Sequence, residues 1–170
     1  MIVVAHPTLL SLSAGFCIVL TGELIRLWGV AIAGSETRTT GPVGGTFLIT
    51  RGPFSYVRNP LYLGNILMYI GVGIMSDAIW LAFVALVYFL WQYSLIVSLE
   101  EEYLAETFKD EYARYCRSVP RFLPSPRKYT GDNHPQPDLD IKRGLISEKR
   151  TLQAIVLLTS VLIILWRVRS

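Results

Sequence analysis

Two short charged stretches border the most apolar part of the chain, and their residue types suit the binding of a charged small molecule. The first is Arg58-Asn59-Pro60, which directly precedes an apolar run. Asn is a good N-cap residue and Pro suits the first helical position, so the pair predicts a helix that begins at residue 60. The free N–H groups of such a terminus favour anions, and Arg58 adds a full positive charge. The stretch therefore predicts either an anion site or an arginine that anchors the chain to lipid headgroups.

The second stretch is Glu100-Glu101-Glu102, which follows another apolar run. On a helix that turns about 100° per residue, Glu101 falls within an apolar and aromatic arc, Glu100 at its edge and Glu102 on the polar face. The arc is formed by Leu104, Phe108, Tyr112 and Tyr115. A carboxylate buried on such a face needs a partner. That partner is either an arginine in a structural ion pair (Arg58, Arg114 or Arg121) or a cationic ligand.

Three apolar blocks position these stretches, at residues 8–28, 60–98 and 152–166. Because a helix needs about 20 apolar residues to cross the hydrocarbon layer, the middle block predicts two spans with a break at Ser76-Asp77. We therefore predict an all-α integral membrane protein with about four transmembrane helices and a cytoplasmic amphipathic helix that forms the binding pocket. The predicted transmembrane helices are at about 8–30, 60–76, 78–98 and 150–167, and the amphipathic helix is at 99–117. The last span has an uncharged core of only 16 residues, between Arg150 and Arg167.

This pattern predicts three parts: a membrane domain at 1–124, a polar cytoplasmic linker at 125–149 and a C-terminal transmembrane helix at 150–170. With four crossings, the ten Lys and Arg residues of 109–150 fall on the same side as those of 26–58. The positive-inside rule then places loops 34–59 and 99–149 in the cytoplasm, so the site faces the cytoplasm from the cytoplasmic membrane. No basic cluster with interleaved aromatic residues predicts nucleic-acid binding, and no Cys/His spacing predicts a metal site.

The two stretches together resemble those of the isoprenylcysteine carboxyl methyltransferase and phospholipid methyltransferase superfamily. Those enzymes carry an Arg-His-Pro-x-Tyr-x-Gly element and a Glu-Glu pair. The resemblance covers about residues 15–124 and includes residues 22–28, Arg58-Asn59-Pro60, Tyr62, Gly64, Glu100-Glu101, the aromatic arc and residues 119–124. Two positions differ from the family pattern. Asn59 replaces the family His, and Lys109 replaces the Gly that usually follows the Phe at the position of Phe108. Asn cannot take up a proton near neutral pH.

The resemblance implies methyl transfer from S-adenosylmethionine, held at the cytoplasmic face, to a lipophilic carboxylate, amine or thiol that enters from the bilayer. By charge, Arg58 and the helix terminus suit the cofactor carboxylate, and the two glutamates suit its ammonium or ribose hydroxyls. A tyrosine is a candidate neighbour of the adenine or the sulfonium. The implied catalytic residues are Arg58, Glu101 and Arg121. The implied cofactor-binding residues are Tyr56, Val57, Arg58, Asn59, Pro60, Tyr62, Gly64, Glu100, Glu101, Tyr112 and Tyr115.

Two other functions fit the same sequence. A non-catalytic membrane scaffold, or an accessory subunit of a larger membrane complex, could retain this architecture without its chemistry. A reductase of related membrane architecture is the other, although the chain has no dinucleotide-binding fingerprint. Cofactor binding would distinguish the methyltransferase from both.

Overall fold

The described residues form four α-helices, and three of these are long and apolar enough to cross a membrane. The computed structural model describes residues 5–34, 48–131 and 136–169, so residues 35–47 of the predicted cytoplasmic loop lie outside the described residues. The helices are α1 (Leu9–Ala33), α2 (Pro60–Met75), α3 (Ile79–Ser118) and α4 (Ile141–Arg169), and a short 3-10 turn at Gly52–Ser55 precedes α2. The described residues contain no strand, which confirms the all-α prediction.

The shortest of the four helices is α2, as the predicted spans at 60–76 and 150–167 already suggested, whereas the C-terminal helix is much longer than the uncharged core of its span. With 16 residues, α2 rises only about 24 Å, which is less than the roughly 30 Å of the hydrocarbon layer. In contrast, α4 has 29 residues, because it begins at Ile141. The end of the predicted linker 125–149 is therefore helical, and this part of the prediction is wrong.

The helix α3 corrects a second boundary. The sequence predicted a transmembrane helix that ends at residue 98 and a separate amphipathic helix at 99–117, but α3 runs through this point without a break. Its only non-helical residue is Lys109 (φ 43°, ψ −116°), where two helical segments meet. A positive φ favours glycine because other residues have a Cβ that clashes with the backbone there. Lys109 is also the position at which the related enzymes usually have Gly.

The second segment of α3 folds back over the first. One nitrogen of Arg58, Nη1, lies 3.4 Å from Glu101 Oε1 and 2.7 Å from Cys116 Sγ. These two residues would be about 22 Å apart along a straight helix. The reversal at Lys109 explains why Tyr112 and Tyr115 are buried together with Leu104 and Phe108. Their burial agrees with the helical-wheel prediction, but it arises from two packed segments rather than from one continuous helix.

Close contact between α1 and α2 forms the centre of the bundle. A Cβ on Gly22 would lie 2.6 Å from the carbonyl oxygen of Gly64, and a Cβ on Gly71 would lie 2.7 Å from that of Gly15. Small residues of this kind let two membrane helices approach closely. α4 packs on the outer side of α1 and α3 on the outer side of α2, which gives the order α4, α1, α2, α3.

The described polar loops lie together at one end of the bundle, which we call the polar end. There the N–H of Asp140 donates to Ala31 O (2.8 Å) and the N–H of Arg58 donates to Pro120 O (2.9 Å). At the opposite end, the N–H of His6 donates to Ser76 O (3.1 Å) and Arg169 donates to Ala5 O. The charge pattern predicted this grouping of loops. That the polar end faces the cytoplasm stays a prediction.

Candidate functional site

The segment before α2 is held at the polar end by the chain that follows α3. The 3-10 turn begins at Gly52 (φ 64°), and the hydroxyl of Ser55 donates to the Gly52 carbonyl (2.6 Å). Backbone N–H groups of Ser125 and Tyr129 then donate to the carbonyls of Tyr56 (2.8 Å) and Ser55 (3.0 Å). These contacts fix the position of the next residues, which include Arg58.

Arg58 and Arg121 both face the carboxylate of Glu101. Nη1 of Arg58 lies 3.4 Å from Glu101 Oε1, and Nη2 of Arg121 lies 3.0 Å from Glu101 Oε2. The side chains of Arg58 and Glu101 are each 17% exposed, and that of Arg121 is 31% exposed. The structure therefore brings the three predicted catalytic residues together in a half-buried group. It also contains the arginine–glutamate ion pair that was the simpler interpretation of a buried Glu101.

A second carboxylate adjoins this group. The hydroxyl of Tyr62 donates to Glu100 Oε1 (2.7 Å), and Glu100 is half-buried. Glu102, in contrast, is exposed, as the helical periodicity predicts. We call the set Arg58, Asn59, Tyr62, Glu100, Glu101 and Arg121 the polar-end cluster. It has two positive and two negative charges when its carboxyl groups are ionised.

The guanidinium of Arg58 is a permanent charge in this cluster. Burial by itself lowers the pKa of Arg58, but the Glu101 carboxylate and the neighbouring Cys116 raise it more, so the pKa lies above its ordinary value. The Nε atoms of Arg58 and Arg121 are buried and make no hydrogen bond to any described residue. Two donors are thus available to an added acceptor, such as an oxygen atom of a ligand.

Asn59 lies at the N-cap position and Pro60 begins α2, but the side chain of Asn59 does not cap the helix. This part of the prediction is wrong. The amide nitrogen of Asn59 instead points toward α3, where it donates to Arg121 O (3.1 Å) and lies 3.5 Å from Glu101 Oε1. Asn59 therefore connects the start of α2 to the Glu101 side chain of α3 and to the backbone of Arg121.

The other predicted cofactor-binding residues have structural contacts in the described chain. The hydroxyl of Tyr115 donates to Phe54 O (2.6 Å), and Tyr112 is buried in the same aromatic core. Val57 is buried, and the ring of Tyr56 contacts that of Trp28. Gly64 lies in the contact between α1 and α2, where a Cβ would meet the Arg26 side chain, and the structure does not place it in the polar-end cluster.

Sequence reasoning missed a second charged group, which lies between the helices. Arg26 of α1 donates to Asn65 Oδ1 of α2 (2.6 Å) and to both oxygens of Glu148 of α4 (2.8 and 3.0 Å). Glu23 Oε2 lies 3.8 Å from Arg26 Nε. We call Glu23, Arg26, Asn65 and Glu148 the interhelical cluster. Two charged residues within the first apolar block were the available signal, since such residues are rare in membrane spans.

Comparisons with known proteins agree with this architecture. The model of the phospholipid methyltransferase family matches residues 10–111. The chain is 33% identical over 109 residues to the cobalt-zinc-cadmium resistance protein CzcN of Cupriavidus metallidurans, with 64% of this chain and 46% of that protein covered. It is 32% identical over 114 residues to the nickel-cobalt-cadmium resistance protein NccN of Alcaligenes xylosoxydans xylosoxydans, with 66% and 49% covered. The matches thus span about half the length of these relatives, and no solved structure matches the chain significantly.

Proposed function

The chain belongs to the phospholipid methyltransferase family, and from this premise we propose that it is a membrane methyltransferase that uses S-adenosylmethionine. In this proposal the polar-end cluster holds the cofactor, and a lipophilic acceptor reaches the site from the bilayer. The observation that carries the proposal is the meeting of Arg58, Arg121 and Glu101 at the polar end, next to the Tyr62–Glu100 pair.

The donor set of the cluster fits a zwitterionic cofactor. A carboxylate of the ligand would find Arg58, whose Nε is buried without a hydrogen-bond partner among the described residues. An ammonium or a ribose hydroxyl would find the carboxylates of Glu100 and Glu101. The cofactor supplies the methyl group on a sulfonium, which is attacked by the acceptor. The residues of this chain bind the cofactor and orient the acceptor, and no covalent intermediate on the protein is required.

The acceptor would arrive along an apolar path. In α3 the residues before Glu100 are apolar and largely exposed, and the exposed Leu99 directly precedes the two site glutamates. An acceptor that carries an ionised carboxylate needs no base, whereas an amine must first lose a proton. The amide of Asn59 cannot accept that proton, so an amine acceptor would depend on Glu100 or Glu101 as the base, whereas a carboxylate acceptor depends on neither.

The proposal is tested by transfer of a labelled methyl group. Purified protein is incubated with methyl-labelled S-adenosylmethionine and lipids extracted from native membranes, and the products are separated and identified. We expect label in a lipophilic product with the wild type and none with Glu101→Ala, whereas Glu102→Ala should behave as the wild type because Glu102 is exposed. Equal labelling with all three proteins would contradict the proposal.

A second candidate function is that of a non-catalytic subunit of a membrane complex. Asn59 in place of the family His favours it, and so do the names of the two relatives, which describe metal resistance. Among the described residues, no group of three or more His, Cys, Asp or Glu side chains could hold a metal ion. A protein of this kind would bind no S-adenosylmethionine, and it would co-purify with stoichiometric partner proteins.

A further inference from the structure

Glu101 has two arginine partners, and they are held to different degrees. The backbone of Arg58 is bonded to Pro120, and its side chain contacts Cys116 (2.7 Å) as well as Glu101. Arg121 is nearly twice as exposed as Arg58, and beyond Glu101 its guanidinium has one hydrogen-bond partner among the described residues, the exposed hydroxyl of Ser98 (2.9 Å). Of the two, Arg121 is therefore the partner that can leave.

One carboxylate balances one positive charge, so Glu101 has one arginine more than it needs. A more exposed ion pair is worth little because water solvates both partners almost as well when they separate. An incoming ammonium can thus replace Arg121 at Glu101 Oε2 at small cost. Arg58, which is more buried and makes more contacts, remains in place.

The surroundings of Arg121 show what it would bind after release. Leu99, next in sequence to the Ser98 that Arg121 contacts, is 68% exposed, and Leu123, two residues after Arg121, is 77% exposed. The centroid of the Phe122 ring lies 5.8 Å from the guanidinium carbon of Arg121. Apolar side chains exposed beside a guanidinium match a molecule with an anionic head and an apolar tail. Such a pairing is typical of residues at the boundary between bilayer and water.

From this geometry we infer that Arg121 is an exchangeable residue, which leaves Glu101 when the cofactor ammonium binds and then holds the anionic group of an amphiphilic acceptor. The inference rests on the proposed function and narrows the acceptor to amphiphilic anions, such as carboxylates. It also couples the two binding events. Because linkage is reciprocal, the cofactor strengthens acceptor binding by the same factor as the acceptor strengthens cofactor binding.

The exchange predicts that removing Arg121 improves cofactor binding. The measurement is a calorimetric titration of S-adenosylhomocysteine, which carries the same ammonium and carboxylate but transfers no methyl group, into protein in phosphatidylcholine nanodiscs. We expect Arg121→Gln to bind it about threefold to tenfold more tightly than the wild type, since the competing cation is gone. Glu101→Gln should bind it much more weakly. Arg117→Gln, at an exposed residue of α3, is the matched control and should not differ from the wild type.

The second arm measures the acceptor site with dodecanoate as the probe. Wild-type protein should bind dodecanoate more tightly in the presence of S-adenosylhomocysteine, and Arg121→Gln should lose both the binding and the coupling. Arg121→Lys keeps the charge and should retain part of the dodecanoate binding and part of its coupling to S-adenosylhomocysteine. This variant shows whether the losses in Arg121→Gln come from the missing charge and not from misfolding. If phosphatidylglycerol nanodiscs abolish dodecanoate binding, the released arginine binds lipid headgroups and the acceptor assignment is wrong.

Two outcomes overturn the inference in different ways. If the wild type binds S-adenosylhomocysteine but Arg121→Gln binds it equally or less tightly, the exchange is wrong and the proposed function stands. If the wild type does not bind it at all, the proposed function fails and the exchange fails with it.

Discussion

The polar-end cluster and the interhelical cluster are built from the same residue types but differ in burial and in charge balance. In the interhelical cluster, Glu148 is fully buried and Glu23 is 3% exposed, and a single arginine faces both. In the polar-end cluster, two arginines face Glu101, and the three side chains are 17% to 31% exposed. One cluster thus has an excess of carboxylates in an apolar environment, whereas the other has as many arginines as carboxylates and lies nearer to water.

This difference is the one we expect between a structural role for the interhelical cluster and the proposed binding role for the polar-end cluster. A buried charge that loses its partner is costly because no water replaces the partner, so the contacts of Arg26 must persist. They connect α1, α2 and α4. A half-exposed pair can change partners at small cost, which is what ligand binding requires.

The largest expected effect comes from removing the central cation of the interhelical cluster. Arg26→Met leaves two buried carboxylates without a guanidinium, which we expect to cost about 3–5 kcal/mol of unfolding free energy. Thermal unfolding in detergent should show a midpoint lower by about 10 °C or more. The control is Arg114→Met, at an exposed residue of α3, which should unfold as the wild type does. Equal midpoints for the two variants would mean that the cluster does not hold the helices together.

The two carboxylates of the interhelical cluster should differ when each is neutralised. Glu148 accepts two short hydrogen bonds from Arg26, whereas neither oxygen of Glu23 has a hydrogen-bond partner among the described residues. We expect Glu148→Gln to lose about 1.5–3 kcal/mol of stability, the range for hydrogen bonds to charged groups. Glu23→Gln should lose less than about 1 kcal/mol, because it also removes the excess negative charge. Chemical denaturation of both variants compares them, and a larger loss for Glu23→Gln would contradict this ranking.

A further, small stability effect concerns the support of the polar-end cluster. Lys109 has φ 43°, whereas the backbone around the interhelical cluster is regular helix. Lys109→Gly should stabilise the fold by about 1 kcal/mol, since glycine adopts this conformation without a Cβ clash. The neighbouring change Asp110→Gly should destabilise it by about 1 kcal/mol, as expected of glycine in a regular helix. Both shifts are measurable as thermal midpoints, and a lower midpoint for Lys109→Gly would show that the residue is not strained.

The apolar blocks predicted the helices of the membrane core because hydrophobic length is a direct physical requirement of a span. The start of α4 was missed because residues 142–150 are rich in charge, although the helix exposes most of these charges and buries Gly144 and Glu148 on one face. The break at Lys109 was missed because lysine is a good helix former, so its own propensity hides the turn.

At the site, helical periodicity predicted that Glu101 needs a partner but left open whether it is Arg58, Arg114, Arg121 or a cationic ligand. The structure pairs Glu101 with Arg58 and Arg121. The orientation of the Asn59 side chain depends on the position of the Arg121 carbonyl, which accepts its hydrogen bond. The sequence around Asn59 cannot predict that position, because Arg121 is distant in the chain. The interhelical cluster could not be predicted for the same reason, because it forms only when α4 packs on α1, which is distant in sequence.

The most direct test of the central claim is calorimetric titration of S-adenosylmethionine into the purified protein. The account predicts saturable binding by the wild type, a loss of about 30-fold or more for both Arg58→Ala and Glu101→Ala, and no change for Glu102→Ala. No binding by the wild type, or equal losses at Glu101 and Glu102, would contradict it.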